Sequence, residues 1–444
     1  MIIRVLRLLW DGPSQISERS NRAFAFDICL CIMLIASLLI GDIFFIIISG
    51  IVIMVSQIIS AIWYYITDIL PLKKMRTFFN GVFEEMNFKT AKRIPYFLSK
   101  EDISKLITVY SFQTHIPLKM WISKKDQLEM YLNEKIIDIK QDEHDKRTIH
   151  LHVQSEPLPE RIRWNDKYIH ADNILNIGVN HYGLVLGMDL EKYPHAFIAG
   201  ETGSGKSNIL KCLIHQALHK GFEVVLIDFK RGVSFSEFSN EVAVYYDYKE
   251  VLKELSFLVS ETNRRLDKFR DAGVDNINAY NRVANDFLNK KIVFIDELAE
   301  LLKTKDKETA SVLNSSIETL TRLSRAAGIH LIMGIQRPDS TIVSGQIKNN
   351  VSYRVCGRFV DKEPSRIMLG GEAANALPNI KGRFIIKDDD LHEVQSFYFQ
   401  RKNIPKSKNE EEPEIAESTT DPEQQTGQPE EAKNFDFDFS YFKK

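Results

Sequence analysis

Eight consecutive residues near the middle of the chain, Gly200, Glu201, Thr202, Gly203, Ser204, Gly205, Lys206 and Ser207, have the types and spacing to hold a polyphosphate. They fit G-x-x-x-x-G-K-[ST]. Phosphate binding needs this layout because successive backbone N–H groups must curl around phosphate oxygens, which glycines permit. The helix that follows adds the positive end of its dipole. In this pattern Lys206 reaches the β- and γ-phosphates and the Ser207 hydroxyl ligates Mg²⁺. The alternative is a plain glycine turn, and the order of strand, loop and helix argues against it. The ligand is a nucleoside triphosphate.

A second set of residues supplies the complement. The run "IVFIDELAE" is apolar and then closes on Asp296 and Glu297. Asp296, with Ser207 a metal candidate, would orient the Mg²⁺ shell through water, and Glu297 would polarise the attacking water. The other reading is a strand ending in a solvated acidic turn. Gln336 ends the strand "HLIMGIQ", which is expected beside the phosphate-loop strand. There its side chain would sense a γ-phosphate or position water. Arg325, in "LSRAAG", is expected at a helix end. It is either a charge donor to a neighbouring subunit's γ-phosphate or a cation serving its own helix dipole.

These groups need a scaffold that brings them to one edge. From His195 to about Asp388 the sequence alternates buried strands with helices. "HAFIAG", "GFEVVLIDFK", "KKIVFID", "IHLIMGIQ" and "SYRVCGRFV" read as strands; "SNILKCLIHQALHK", "YKEVLKELSFLVSETNRRLDKFRDAG" and "SIETLTRLSRAAG" read as helices. Strands without alternation, separated by helices, indicate an α/β fold with a mainly parallel sheet covered on both faces. Upstream, residues 75–172 read as a small α/β module without a catalytic constellation. "LITVYSFQTH" and "KIIDIKQ" are strands there, "SKKDQLEMYLNEK" a helix, and "TIHLHV" one arm of a hairpin. "ILNIGVNHYGLVLGMDL" reads as two strands joined at "NHYG". His115, His144, His150 and His152 lack metal spacing and are expected to be solvated or on a strand face.

The N-terminus is of a different kind. Residues 23–66 are almost continuously apolar, and about 20 residues suffice for one helical pass. Two passes are expected, 23–40 and 43–66, with Gly41 and Asp42 as the break. Trp63, Tyr64 and Tyr65 would form an interfacial belt. Arg4, Arg7, Arg19 and Arg22 precede the pair, and Lys73, Lys74 and Arg76 follow it, which places both ends in the cytoplasm of a membrane-anchored chain. Asp27 is expected at the cytoplasmic interface near Arg22, the alternative being that it faces a neighbouring subunit.

The formal net charge of −2 hides an asymmetry, because residues 410–444 hold eleven acidic residues against three lysines. The rest of the chain is therefore net positive, which suits an anionic partner. Residues 401–444 are expected to be an acidic disordered tail; "FDFDFSYF" at its end is either a docking motif or merely a sticky tail. Cys29, Cys31, Cys212 and Cys356 form neither a disulfide framework nor a zinc pattern.

Taken in order, "YPHAFIAGETGSGKS", "RRLDKFRDAGVDNINAYN", "FIDELAELL", "RAAGIHLIMGIQRP" and "KEPSRIMLGGEAANALPNIKGRF" resemble the FtsK/SpoIIIE family of DNA-pumping motors. The likeness runs from about Asn173 to Lys387, within a motor expected over 173–400. It implies a RecA-like P-loop ATPase that assembles as a ring, usually a hexamer, around DNA. It also implies that ATP sits at a subunit interface, with Arg325 matching the family's arginine finger. Arg337, Lys348, Lys362 and Arg366 correspond to basic positions on loops facing the DNA, where contacts to phosphates grip without sequence preference. Chromosome-segregation members usually carry about four spans and a winged-helix reader, and type VII secretion ATPases several motors in tandem. One hairpin with one motor looks like the coupling proteins of Gram-positive conjugative elements, which bring relaxase-bound DNA to a membrane secretion channel. A type VII-like protein-export ATPase and a chromosome-segregation motor are the alternative readings.

Overall fold

The computed structural model describes residues 43–90, 93–169, 173–339, 343 and 345–401. The expected first pass with Asp27, the flanking Arg4, Arg7, Arg19 and Arg22, the two N-terminal cysteines and the acidic tail beyond Arg401 all lie outside the described residues. The chain divides into two compact units between Glu156 and Pro157, upstream of the division expected after 172.

The first unit begins with α1 (Ile43–Tyr64), which contains no charged residue. Most of its described apolar side chains are exposed, with Phe44 67%, Ile59 61% and Trp63 64% accessible. A helix that is apolar all round suits lipid. One described helical stretch, Gly50–Glu85, is long and apolar enough to cross a membrane. The helix continues past 66, where the second pass is expected to end. A π-helical turn, Tyr65–Ile69, leads straight into α2 (Leu70–Glu85), where Pro71 occupies the first helical turn. A π-bulge is a usual way of accommodating a local disruption of the helical ladder.

The lower end of α2 turns amphipathic and buries Phe79, Val82 and Phe83. They pack on an antiparallel sheet of order β1 (Tyr96–Asp102), β2 (Ile107–Gln113), β4 (Thr148–Gln154) and β3 (Ile136–Gln141), with α3 (Leu118–Ser123) and α4 (Lys125–Leu132) between β2 and β3. Phe79 meets Phe112 edge-on at 4.8 Å, and Phe83 meets Trp121 at 5.6 Å. Each such burial contributes roughly 1.5–3 kcal/mol. Strict alternation along β4 sends Ile149, Leu151 and Val153 to this core and leaves His150 and His152 on the other face, as expected of strand-face histidines.

The second unit is built on one eleven-stranded sheet. In chain order it comprises β5 (Ile162–Arg163), β6 (Ile174–Asn180), β7 (Val185–Asp189), β8 (His195–Ala199), α5 (Lys206–His219), β9 (Glu223–Ile227), β10 (Val244–Tyr245), α6 (Tyr248–Asp271) and α7 (Ile277–Val283). It continues with β11 (Lys291–Ile295), α8 (Leu298–Leu302), α9 (Lys307–Leu323), β12 (Ile329–Ile335), α10 (Gly345–Asn350), β13 (Tyr353–Gly357), α11 (Lys362–Leu369), β14 (Arg383–Lys387) and β15 (Leu391–Tyr398).

Strands β10, β9, β11, β12, β8 and β13 lie side by side in that order and run parallel. This is the expected parallel sheet, with β12 beside β8 as anticipated. Its strands are covered on both faces, so alternate residues serve different cores. Ala196 and Ile198 of β8 join Ile209 and Leu213 of α5, whereas Phe197 and Ala199 join Leu255 of α6 and Ile317 of α9. Beyond β13 the sheet continues antiparallel through β14, β15, β6 and β7, and β5 pairs with the end of β15.

The crossover from β8 through α5 passes over β12 and β11 to reach β9. The strand order therefore reverses at β8, and open α/β sheets bind ligands at the carboxyl end of such a point.

Candidate active site

The loop that leaves β8 is shaped by its glycines. Gly203 and Gly205 sit at φ +89° and +109°, a region that side-chain-bearing residues avoid. Gly205 is the N-cap of α5, so Lys206 is its first residue and Ser207 its second. The loop is tied down from two directions. Gly200 N–H donates to Ile335 O at 3.1 Å, and Gly382 N–H donates to Ser204 O at 2.8 Å. Glu201 accepts Val360 N–H at 2.8 Å.

Parallel register brings the acids to the same edge. Lys206 is buried, and its Nζ lies 3.2 Å from Asp296 Oδ1 and 3.9 Å from Glu297 Oε2, while also donating to Asp296 O. The β11–β12 contact here depends on Gly334, where a Cβ would stand 2.0 Å from Asp296 O.

The two carboxyls are driven in opposite directions. Burial pushes the Asp296 carboxyl up, but Lys206 and Lys230 outweigh it and hold the group below the ordinary carboxylate value. For Glu297, burial prevails over the charge of Lys206 and the N–H groups of Gln336 and Ala299, and its carboxyl is raised. The result is a firmly ionised acid beside one with enhanced basicity. Such divergent pairs are what acid–base and metal-assisted sites require.

Gln336 follows β12, and its N–H donates to the Glu297 carboxylate at 3.0 Å. Its side-chain oxygen accepts from Thr202 Oγ1 at 3.4 Å. Phosphate loop, Asp296, Glu297 and Gln336 thus form one cluster.

Three residues of this cluster carried no assigned role in the sequence. Lys230 Nζ lies 2.9 Å from Asp296 Oδ2, and Ser234 Oγ donates to the same oxygen at 3.0 Å. Asp228, buried at the end of β9, accepts Lys230 N–H and Ser234 N–H and so shapes the turn that carries both. The available signal was "IDFKRG", an acid and a cation directly after a buried strand.

The remaining candidates lie elsewhere. Arg325 lies at the end of α9, in the turn directly after its C-cap Ser324, at the opposite edge of the sheet. Its guanidinium donates to Glu191 O at 2.7 Å beside a cavity of about 360 Å³. Arg337 is exposed next to Gln336. Lys348 is half-buried on α10, whose end is held by Arg354 donating to Lys348 O and Val351 O. Lys362 and Arg366, on α11, both pair with Glu372, at 2.8 and 2.5 Å.

Comparison with known proteins agrees with this geometry. The FtsK/SpoIIIE family profile matches residues 161–340. The DNA translocase FtsK of Campylobacter jejuni is 30% identical over 295 residues, covering 62% of this chain and 31% of that protein. The FtsK of Staphylococcus epidermidis is 33% identical over 221 residues, covering 46% of this chain and 27% of its own length. This chain thus spans about a third of the length of these relatives. The solved structure of the pCW3 conjugation coupling protein TcpA with ATPγS is 38% identical, with TM-score 0.56, over 74% of this chain and 96% of that one. On the phosphate loop, the paired acids and these likenesses together, the chain carries a domain of the FtsK/SpoIIIE family over residues 161–340.

Proposed function

We propose that the chain is a membrane-anchored, ATP-driven DNA translocase that acts as a conjugative coupling protein, bringing relaxase-bound DNA to a secretion channel. The observation that carries this reading is the 38% identity to TcpA over 96% of the chain in that solved structure, whereas the FtsK likenesses are 30–33% identical and span only about a third of those proteins. In this reading α1 is the second arm of a two-pass hairpin with both ends cytoplasmic. The motor assembles as a ring, a hexamer, with each ATP between subunits.

The chain's own groups support the chemistry. An arriving triphosphate meets the N–H groups of residues 200–207 and competes with Asp296 for the Lys206 ammonium. Lys230 and Ser234 keep Asp296 in place after Lys206 leaves it. Glu297, with its raised carboxyl, accepts a proton from water, and Gln336 holds Glu297 through its N–H while touching Thr202. Ser207 and Asp296 offer an all-oxygen donor set of the kind Mg²⁺ prefers. When bound with ATP, that ion would neutralise charge on the β- and γ-phosphates.

The test is ATP turnover by the full chain in lipid nanodiscs, with and without DNA. Stimulation by DNA of unrelated sequences supports the proposal. A rate indifferent to DNA but raised by a secreted polypeptide would replace it with protein export.

A further inference from the structure

Beside Glu297, on the side away from the phosphate loop, the carboxyl edge of the sheet opens into a cavity of about 600 Å³. Its position follows from the fold. Phe229 follows β9, Tyr246 and Tyr248 follow β10, Lys303 follows α8, and Arg337 follows β12. Phe229 and Tyr248 pack with ring centroids 4.5 Å apart and their planes tilted by 31°, and the Tyr248 hydroxyl is fixed by donating to Glu300 O at 2.7 Å. Tyr246 stands free at the rim, 52% exposed. Among the described residues neither Lys303 nor Arg337 has an ion pair, in contrast to Lys362 and Arg366, which share Glu372.

Aromatic faces with unpaired cations at the mouth are the elements from which proteins build single-strand binding sites. The rings stack on a base and the cations hold the phosphates on either side. The volume lies in the range of small-ligand pockets. The cavity also shares Glu297 and Gln336 with the active site, so its occupant would touch the water-activating group directly.

We propose that this cavity is a nucleobase site: it takes an unstacked base of single-stranded DNA and couples strand engagement to hydrolysis. A duplex cannot fill it, because its bases are stacked and paired in the helix interior. The inference rests on the DNA-translocase reading and adds the strandedness of the DNA that triggers turnover.

The test uses the full chain in nanodiscs with a mixed-sequence single strand and the matching duplex, read by fluorescence anisotropy and by ATP turnover. Tyr246→Ala should weaken single-strand binding on the order of tenfold and remove single-strand stimulation, while duplex binding and basal turnover stay unchanged. Tyr246→Phe should retain both single-strand responses. Lys303→Ala should lower the single-strand salt slope by roughly 0.7, the share of one neutralised phosphate. Ultraviolet cross-linking of a 5-iodouracil oligonucleotide should mark the peptide carrying Tyr246 in the wild-type chain, independently of how any variant folds. Wild-type single-strand affinity and stimulation in Tyr246→Ala, or an adduct confined to other peptides, overturns the site and leaves the translocase reading intact. A wild-type chain that binds neither form of DNA overturns both.

Discussion

Arg325 and Gln336 flank the two ends of one strand. Arg325 lies in the turn that enters β12, and Gln336 is the residue that follows it. Seven residues of strand at about 3.3 Å each put roughly 20 Å between these ends. Gln336 is in the phosphate cluster, so Arg325 is out of reach of a nucleotide held there by its own chain. A role for it in hydrolysis has to be played on a neighbour's nucleotide.

Arg325→Ala should therefore leave nucleotide binding largely intact and depress DNA-stimulated turnover by about 10³-fold or more, the size of an arginine-finger effect. Mixed with Lys206→Ala, it should recover part of the activity, because each variant completes a different half of a shared site. Mixed assemblies that stay inactive would show that Arg325 acts only through its bond to Glu191 O.

Lys206→Ala should lose both ATP binding and turnover, because the buried ammonium would no longer be available to the phosphates. Glu297→Gln should still bind ATP and turn over slower by about 10²-fold or more. A titration with a fluorescent ATP analogue, alongside phosphate release, separates the two outcomes. Turnover at the wild-type rate in Glu297→Gln would remove that residue from water activation.

Glu297 also makes a pH prediction. Burial raises its carboxyl above the ordinary value of 4.5 in the folded chain. The folded state therefore holds this proton more tightly than the unfolded state does. Above the folded value the ionised group costs stability; as pH falls below the unfolded value that cost disappears. Glu297→Gln should melt higher than wild type at neutral pH, with the gap closing on acidification toward and below 4.5. The acid limb of wild-type turnover should likewise lie above the usual glutamate range, since the group must be ionised to accept a proton. Thermal melts across pH check the first point: a variant that melts lower than wild type at neutral pH would contradict the burial argument.

The candidate site is legible where its residues are local in sequence. The phosphate loop, the Asp296–Glu297 pair and the placement of Gln336 follow from short motifs on buried strands, and the strand order brings them together. Lys230 and Ser234 are not legible. Their role exists only because β9 and β11 are neighbours, which places them on an aspartate more than sixty residues away. The antiparallel half of the sheet has the same cause, since Val394 pairs with Asn180 across the whole motor. For Arg325, the sequence indicates the end of a helical segment, but only the course of β12 shows that it lies at the end of the strand opposite the phosphate loop.

Gly334 is a packing requirement of the site. A methyl group there would meet the Asp296 carbonyl at 2.0 Å, and backbone cannot move aside as a side chain can. Gly334→Ala should force β11 and β12 apart at the point where Asp296, Glu297 and Gln336 meet. The expected outcome is a loss of stability of about 1–3 kcal/mol or more, with ATP binding impaired beyond what the lost stability explains. A variant with wild-type melting temperature and turnover would show that this strand pair has slack.

The last prediction concerns Glu372, whose carboxylate bridges Lys362 and Arg366. The hydrogen bonds from these two cations hold its carboxyl below the usual glutamate range, so it is ionised at neutral pH. All three groups are exposed, so the bridge adds little to stability. Its effect is on availability. A DNA phosphate approaching Lys362 or Arg366 must displace a carboxylate that already sits there. Glu372→Gln should free both cations, tighten DNA binding evenly across sequences, and steepen the salt dependence by roughly 0.9 for each further duplex phosphate that is neutralised. Replacing Lys348 and Lys362 together by alanine should do the reverse, weakening binding and flattening the slope by a similar amount for each phosphate left without its cation. Anisotropy titrations of the full chain against unrelated duplexes at several salt concentrations read both. Unchanged affinity and slope in the two variants would take α10 and α11 off the DNA path; tighter binding in Glu372→Gln alone would leave Arg366 as the cation that matters.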